Sequence, residues 1–125
     1  MSTYGTKEST EQALVFKWAE YMTEQFPELE HLYHIPNGGS RNKLEAYHLK
    51  QQGVKSGVPD LHLPVPRGKY HSLYIEMKVN KNKPTDNQLK WHDALRKYGN
   101  RVEVCYSFEE AQKVLLDYLK STRVD

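Results

Sequence analysis

The segment from Gly57 to Lys78 restricts the folds open to this chain more than any other. It begins with Gly-Val-Pro-Asp-Leu-His-Leu and ends with Leu-Tyr-Ile-Glu-Met-Lys. Apolar residues alternate along both ends, which is typical of β-strands, and the residues between them are rich in Pro and Gly, which favour turns. We therefore expect strands over 60–64 and 72–79 that pair as an antiparallel hairpin.

This hairpin would bring Asp60 close to Glu76 and Lys78. Glu76 and Lys78 lie two residues apart, so their side chains share one face of the strand. Two close carboxylates repel each other unless a proton or a cation lies between them. Because the candidate ligand atoms are oxygens, the pattern predicts a site for a hard cation, Mg²⁺ or Mn²⁺.

The rest of the chain predicts an α/β fold in the order α β α β β α β α. Helical periodicity, capping residues and apolar alternation give these bounds: helix 9–26, strand 32–35, helix 40–52, strands 60–64 and 72–79, helix 85–98, strand 101–106 and helix 107–119. A capping-box pattern starts the first helix at Ser9, with Thr6 as an alternative start. Ser40 can cap the second helix, and Thr85 with Gln88 fits a capping box for the third.

Two apolar stripes predict how the helices pack. They are Val15, Trp18, Met22 and Phe26 in the first helix, and Leu89, His92, Leu95 and Tyr98 in the third. Residues at this spacing share one helix face, so we expect both stripes to be buried against a mixed sheet. We expect a single domain over residues 1–125, with residues 1–6 disordered.

Composition narrows the class of protein. A chain of 125 residues suits one modest core. Its single cysteine, Cys105, excludes an internal disulfide and a cysteine-based zinc site, and we expect it to be a small buried hydrophobe. No apolar run approaches the ~20 residues of a membrane span, and no signal peptide is visible, so we expect a cytoplasmic protein.

The distribution of charge favours a nucleic-acid ligand. The net charge is only +2, yet the range Arg41–Lys90 holds ten Lys or Arg and four Asp or Glu. This basic excess surrounds the predicted acidic centre, as a bound phosphate backbone would require. The turn at Asn37 and Gly38 also exposes backbone N–H groups beside a helix start, which suits a phosphate.

Several stretches together resemble a known family. Pro59-Asp60 followed by Glu76-Met77-Lys78 matches the signature of the PD-(D/E)xK nuclease superfamily. His34-Ile35-Pro36-Asn37-Gly38-Gly39, the range 53–61 and a helix centred on Gln88 extend the match. The chain resembles the VRR-NUC (virus-type replication-repair nuclease) family in its small stand-alone form, over roughly residues 8–119. The resemblance implies a restriction-endonuclease-like fold, with a mixed central sheet flanked by helices.

The resemblance also implies roles for site residues. Asp60, Glu76 and the Met77 carbonyl would hold Mg²⁺, for which Mn²⁺ could substitute, and Lys78 would orient the attacking water and stabilise charge on the phosphate. The family places a further metal-associated glutamate on the first helix. Glu8 and Glu11 are both candidates, and we favour Glu11 because it lies further inside the predicted helix.

DNA is the implied substrate. The candidate DNA-binding residues are Asn37, Gly38, Arg41, Lys55, Lys81, Lys83 and Gln88. Gln88 could serve the helix cap or the site, and His34 could contact DNA, although a structural role is favoured. The resemblance implies a homodimeric, Holliday-junction resolvase-like endonuclease of phage or bacterial origin. A flap or replication-fork nuclease and a non-catalytic DNA-binding module are the alternatives, and the number of metals stays open.

Overall fold

A computed structural model describes residues 7–36 and 42–122. The elements are α1 (Lys7–Tyr21), a 3₁₀-helix (Pro27–His31), β1 (Tyr33–His34), α2 (Lys43–Gln51), β2 (Leu61–Leu63), β3 (Leu73–Met77), α3 (Asp86–Lys97), β4 (Arg101–Cys105) and α4 (Phe108–Lys120). The predicted order of helices and strands is confirmed, with the 3₁₀-helix as an addition. Residues 1–6, for which disorder was predicted, lie outside the described residues.

The four strands form one mixed sheet in the order β1-β2-β3-β4. β1 pairs with β2 and β2 with β3 in antiparallel fashion, whereas β3 and β4 are parallel. The predicted hairpin is therefore confirmed as the centre of the sheet. Parallel strands need a crossover connection, and α3 supplies it between β3 and β4.

One face of the sheet carries the apolar core. Alternate residues of the central strands point to it and are almost fully buried: Leu61, Leu63, Leu73, Ile75 and Met77. They pack with side chains of α1 and α4, including Val15, Ala19, Ala111 and Leu115. Cys105 joins this cluster at 1% exposure, which confirms the prediction of a buried hydrophobe, and burial raises the pKa of its thiol to about 12.

Helix α1 differs from its predicted bounds at both ends. It begins at Lys7, so Ser9 lies inside the helix rather than at its cap, and Thr6 lies outside the described residues. It ends at Tyr21, after which the chain turns and the Phe26 amide donates to the Met22 carbonyl at 2.8 Å. The predicted stripe holds in part, since Val15 is fully buried and the other three side chains pack against the core.

Helix α3 has the predicted cap but only half of the predicted stripe, since His92 is buried and Leu95 is half-buried. Thr85 and Gln88 form a complete capping box. The side chains of Leu89 and Tyr98 are exposed by 44% and 68%, however, and His92 is the buried residue of the helix. The inward face of α3 is thus only partly apolar, because the buried His92 and the half-buried Gln88 lie on it beside Leu95.

Helix α2 begins later than predicted. Asn42 caps it by accepting a hydrogen bond from the Glu45 amide at 2.7 Å, whereas Ser40 lies outside the described residues. Gly53 follows the helix with a φ of +100°, as expected for a residue that ends a helix. Among the described residues, no helix combines the length and apolar character that crossing a membrane requires.

Gly57 allows the loop before β2 to lie directly against α3. Its φ is +93°, and a Cβ atom there would lie 2.8 Å from the Asn87 side-chain nitrogen and 3.0 Å from the Trp91 ring. The Asn87 amide also donates to the Ser56 carbonyl at 2.9 Å. This contact holds the chain that leads into Asp60.

Replacing Gly57 with alanine should therefore cost more stability than the same change at Gly53. Both residues have positive φ, which costs about 1–2 kcal/mol for an L-residue. A Cβ at Gly53 would meet nothing within 4 Å. We expect Gly57→Ala to lower the free energy of unfolding by at least about 1 kcal/mol more than Gly53→Ala. Urea denaturation of both variants measures the difference, and equal losses would contradict the close approach.

Candidate active site

Two carboxyl groups meet on the sheet face opposite the apolar core. Asp60 directly precedes β2 and Glu76 lies in β3. The register pairs Leu61 with Ile75, which puts Asp60 across from Glu76 with both side chains on one face. Their side chains are hydrogen-bonded, and the two residues are only 8% and 1% exposed. The structure thus brings together the two acids that the hairpin pattern predicted to be neighbours.

Burial controls the ionisation of this pair. Burial, and to a lesser extent the negative charge of Glu76, raise the pKa of Asp60 to about 7. Burial likewise raises the pKa of Glu76 to about 7, against the opposing effects of the bond to Asp60 and the charge of Lys78. Near neutral pH, the pair therefore holds a proton between its oxygen atoms, a position that a bound cation could take.

Each end of the Gln88 side chain has its own partner. The Gln88 carbonyl oxygen accepts from the Thr85 amide at 2.9 Å, while its amide nitrogen donates to Glu76 Oε2 at 3.2 Å. The two roles predicted as alternatives, helix cap and site, are thus combined in one side chain. An amide allows this because it carries an acceptor and two donors.

His92 is a site neighbour that the sequence reasoning missed. Its Nε2 lies 3.4 Å from Glu76 Oε1, and the residue is 1% exposed. Burial lowers the pKa of His92, and the positive charge of Arg96 lowers it to a lesser extent. The signal was present in the sequence, because Gln88 and His92 are four residues apart and so share a helix face.

The backbone around Asp60 is fixed on both sides. The Met77 amide donates to Asp60 Oδ2 at 2.8 Å. The Asp60 carbonyl accepts from the Ile35 amide at 2.7 Å and lies 2.9 Å from His34 Nδ1. In this structure His34 has the structural role favoured from the sequence, since it helps to hold the edge strand against the residue that carries the carboxylate.

Lys78 extends the strand that carries Glu76. Its amide donates to the Cys105 carbonyl at 2.9 Å, which continues the β3–β4 ladder. Its positive charge lowers the pKa of both Glu76 and Glu8. The lysine therefore belongs electrostatically to the carboxylate site, as its spacing from Glu76 predicted.

Of the two helix glutamates, Glu8 is the one that interacts electrostatically with the carboxylate site. Burial and the charge of Asp60 raise the pKa of Glu8, whereas Lys78 lowers it. Glu11 Oε1 instead accepts a hydrogen bond from the Phe108 amide at 2.7 Å, at the start of α4. The structure thus does not bring the favoured candidate, Glu11, to the site.

The structure describes only some of the predicted DNA-binding residues. Asn37, Gly38 and Arg41 lie outside the described residues. Lys55, Lys81 and Lys83 are all exposed.

The donor set around the pair fits a hard, partly hydrated cation. Within residues 7–36 and 42–122, no three His, Cys, Asp or Glu side chains form a complete metal cluster. Asp60 and Glu76 supply two carboxylates with Glu8 in electrostatic range, and Mg²⁺ is commonly held by one or two carboxylates and several waters. The Met77 carbonyl as a further ligand stays a prediction.

Comparisons with known proteins identify the family to which the chain is similar. Residues 5–109 match the family model of the VRR-NUC domain. A solved structure described as a VRR_NUC domain protein superposes with a TM-score of 0.80 at 30% identity, over 97% of this chain and 94% of that one. Another, described as a VRR_NUC domain, has a TM-score of 0.53 at 28% identity, over 91% and 99%. A search of curated proteins found no match.

The mixed sheet, the flanking helices and these matches define an α/β nuclease-like fold. The chain belongs to the VRR-NUC family, and through it to the PD-(D/E)xK superfamily. This confirms both the resemblance drawn from the sequence and the predicted fold class. Membership implies a nuclease that acts on DNA.

The pKa values predict how the metal-free protein responds to pH. Because the pKa of Asp60 rises from 3.8 to about 7 on folding, its contribution to stability is fully present below 3.8 and is lost as the pH rises through about 7. Asp60→Asn keeps an acceptor for the Met77 amide and removes one charge. We expect it to stabilise the metal-free protein at pH 8 by up to about 4 kcal/mol, since one pKa unit is worth about 1.4 kcal/mol and the pKa of Asp60 rises from 3.8 to about 7.

Thermal unfolding in EDTA across the acidic to mildly alkaline range measures this effect. The two proteins should have similar stability in acid, where the pair is neutral in the wild type, and should diverge as the pH rises. Parallel profiles, or a variant that is less stable in alkali, would contradict a mutually repelling buried pair.

Proposed function

We propose that this protein is a Mg²⁺-dependent endonuclease that hydrolyses phosphodiester bonds in branched DNA, with an activity like that of a Holliday-junction resolvase. The observation that carries the proposal is the buried pair of Asp60 and Glu76 with Lys78 on the same strand face. A folded protein gains nothing in stability from burying two repelling acids, so the arrangement is better explained by a cation that it binds.

The roles of the side chains follow from their positions. Asp60 and Glu76 would hold the metal, with Glu8 completing the site directly or through water. When bound, Mg²⁺ supplies a Lewis acid for the phosphate and lowers the pKa of a water. Lys78 would orient the attacking water and stabilise the charge that develops on the phosphate. Gln88 and His92 orient the Glu76 carboxylate, since each contacts a different one of its oxygen atoms.

Branched DNA is proposed from the family resemblance. A homodimer with two-fold symmetry would present two active sites for paired incisions across a four-way junction. The exposed lysines at 55, 81 and 83 would contact the phosphate backbone.

Cleavage of labelled DNAs tests the proposal. Wild-type protein with Mg²⁺ or Mn²⁺ should make symmetric nicks in a four-way junction, with less cleavage of flaps and linear duplex and none in EDTA. Asp60→Asn and Glu76→Gln should each abolish cleavage while thermal unfolding shows an intact fold.

Asymmetric cutting of flaps or forks would favour the replication-fork alternative, and binding without cleavage would favour a non-catalytic module. Near-wild-type rates for either variant would refute the metal site.

Lys78 should act in the chemical step rather than in binding. We expect Lys78→Ala to lower the single-turnover rate by about 10²- to 10³-fold, as when a group that stabilises transition-state charge is lost. Its effect on DNA affinity should be small. Arginine should not rescue the rate, because a planar guanidinium cannot take the place of a compact ammonium beside the attacking water.

Lys81→Ala and Lys83→Ala are the matched controls. Both lysines are exposed and follow β3, so their loss should weaken DNA binding and reduce its salt dependence without slowing the step at saturating DNA. Single-turnover rates and equilibrium binding in Ca²⁺ separate the two effects. If Lys78→Ala loses affinity and keeps its rate, Lys78 is a phosphate anchor instead.

A further inference from the structure

An aromatic row lies next to the carboxylate pair on the same face of the sheet. The β2–β3 register pairs His62 with Tyr74, and the β1–β2 register pairs Tyr33 with His62. His62 and Tyr74 are each two residues from Asp60 and Glu76, which puts the aromatic row about 7 Å from the carboxylate row along the strands. The row runs outward from β3 to Tyr33 on the edge strand.

A chain of hydrogen bonds with a defined direction holds these rings. The Asn100 amide nitrogen donates to the Leu95 carbonyl at 3.1 Å, so its oxygen must accept from the Ser72 hydroxyl at 2.7 Å. Ser72 Oγ, whose proton is used, then accepts from His62 Nε2 at 3.0 Å. A neutral His62 with its proton on Nε2 leaves Nδ1 to accept from the Tyr33 hydroxyl at 2.8 Å.

Ring contacts add to this restraint. The rings of His62 and Tyr74 are stacked, with centroids 4.1 Å apart and planes 10° from parallel. Tyr33 meets His62 edge to face, with centroids 5.4 Å apart and planes at 73°. Tyr33 remains 47% exposed despite these contacts. The edge strand thus presents the half-exposed ring of Tyr33, whose orientation is fixed by its contacts with His62.

We propose that Tyr33 is a stacking platform for an unpaired nucleobase of the DNA next to the scissile phosphate. This inference rests on the proposed function and specifies what its substrate must offer. DNA whose phosphate lies at Asp60 and Glu76 would carry its next nucleotide across the adjacent row. The row itself holds no lysine or arginine, so it suits a base rather than a phosphate.

The base must be unpaired because the faces of a base inside a duplex are covered by its neighbours. Aromatic side chains stack on any base, so the platform would select DNA structure rather than sequence. A ring whose orientation is already fixed loses little conformational freedom when a base binds.

The test compares Tyr33→Leu with Tyr33→Phe. Leucine keeps an apolar side chain and removes the aromatic face, whereas phenylalanine keeps the ring and loses only the hydrogen bond to His62. Binding is measured in Ca²⁺ to a junction with unpaired bases at its branch point and to a fully paired linear duplex. 2-Aminopurine placed at the unpaired position reports stacking through its fluorescence. Tyr21→Leu, at an 84% exposed tyrosine at the end of α1, is the matched control.

We expect Tyr33→Leu to weaken binding of the junction by about tenfold, the size of one base–aromatic stack, and to leave binding of the duplex unchanged. Wild type and Tyr33→Phe should quench the 2-aminopurine, whereas Tyr33→Leu should not. Tyr21→Leu should behave as wild type. Equal loss of affinity for junction and duplex, or unchanged quenching by Tyr33→Leu, would overturn the proposal.

Two further outcomes are informative. If Tyr33→Leu changes the mass of the protein in solution, Tyr33 covers an interface between two copies, and the nucleobase assignment is wrong. Because binding and fluorescence are measured without cleavage, a protein that stacks the base but cuts no DNA would contradict the proposed nuclease function while supporting the platform.

Discussion

The structure depends on the close approach of two buried carboxyl groups across the central hairpin. A pair of acids with pKa values raised to about 7 is a local source of instability above neutral pH, because folding removes water from both. The surroundings offset this cost with directed hydrogen bonds. The Met77 amide, Gln88 and His92 each contact one of the carboxyl oxygens, so the acids are oriented as well as buried.

These contacts come from two different parts of the sequence. The hairpin supplies both acids and is local in the chain, whereas the groups that orient Glu76 are on α3, the crossover helix between β3 and β4. The apolar core lies on the other face of the sheet, against α1 and α4. The fold thus separates the face that supplies most of the hydrophobic stabilisation from the face that holds the buried carboxyl pair.

The hairpin could be predicted from the sequence because few strand registers bury all of its alternating apolar residues. A shift of one residue would move Leu61, Leu63 and Ile75 into the polar face, so the apolar pattern determines the register and with it the meeting of Asp60 and Glu76. Helix α3 was less predictable, because Leu89 and Tyr98 of its predicted stripe are exposed, and helical spacing alone does not show that the buried His92 contacts Glu76. Glu11 was favoured over Glu8 because the predicted helix began at Ser9, whereas the helix begins at Lys7, two residues earlier, and so includes Glu8 as well.

Gln88 contributes both to the cap of α3 and to the carboxylate pair. Glutamate is as suitable as glutamine at the third position of a capping box, and its charge is favoured near a helix N-terminus. Here the same side chain donates to Glu76, and a glutamate would place another negative charge against the buried pair. Gln88→Glu would therefore suit the start of the helix but would add repulsion to the buried pair. During evolution, position 88 would accept a neutral amide more readily than an acid. The charge of the buried pair would thus limit which residues can cap α3.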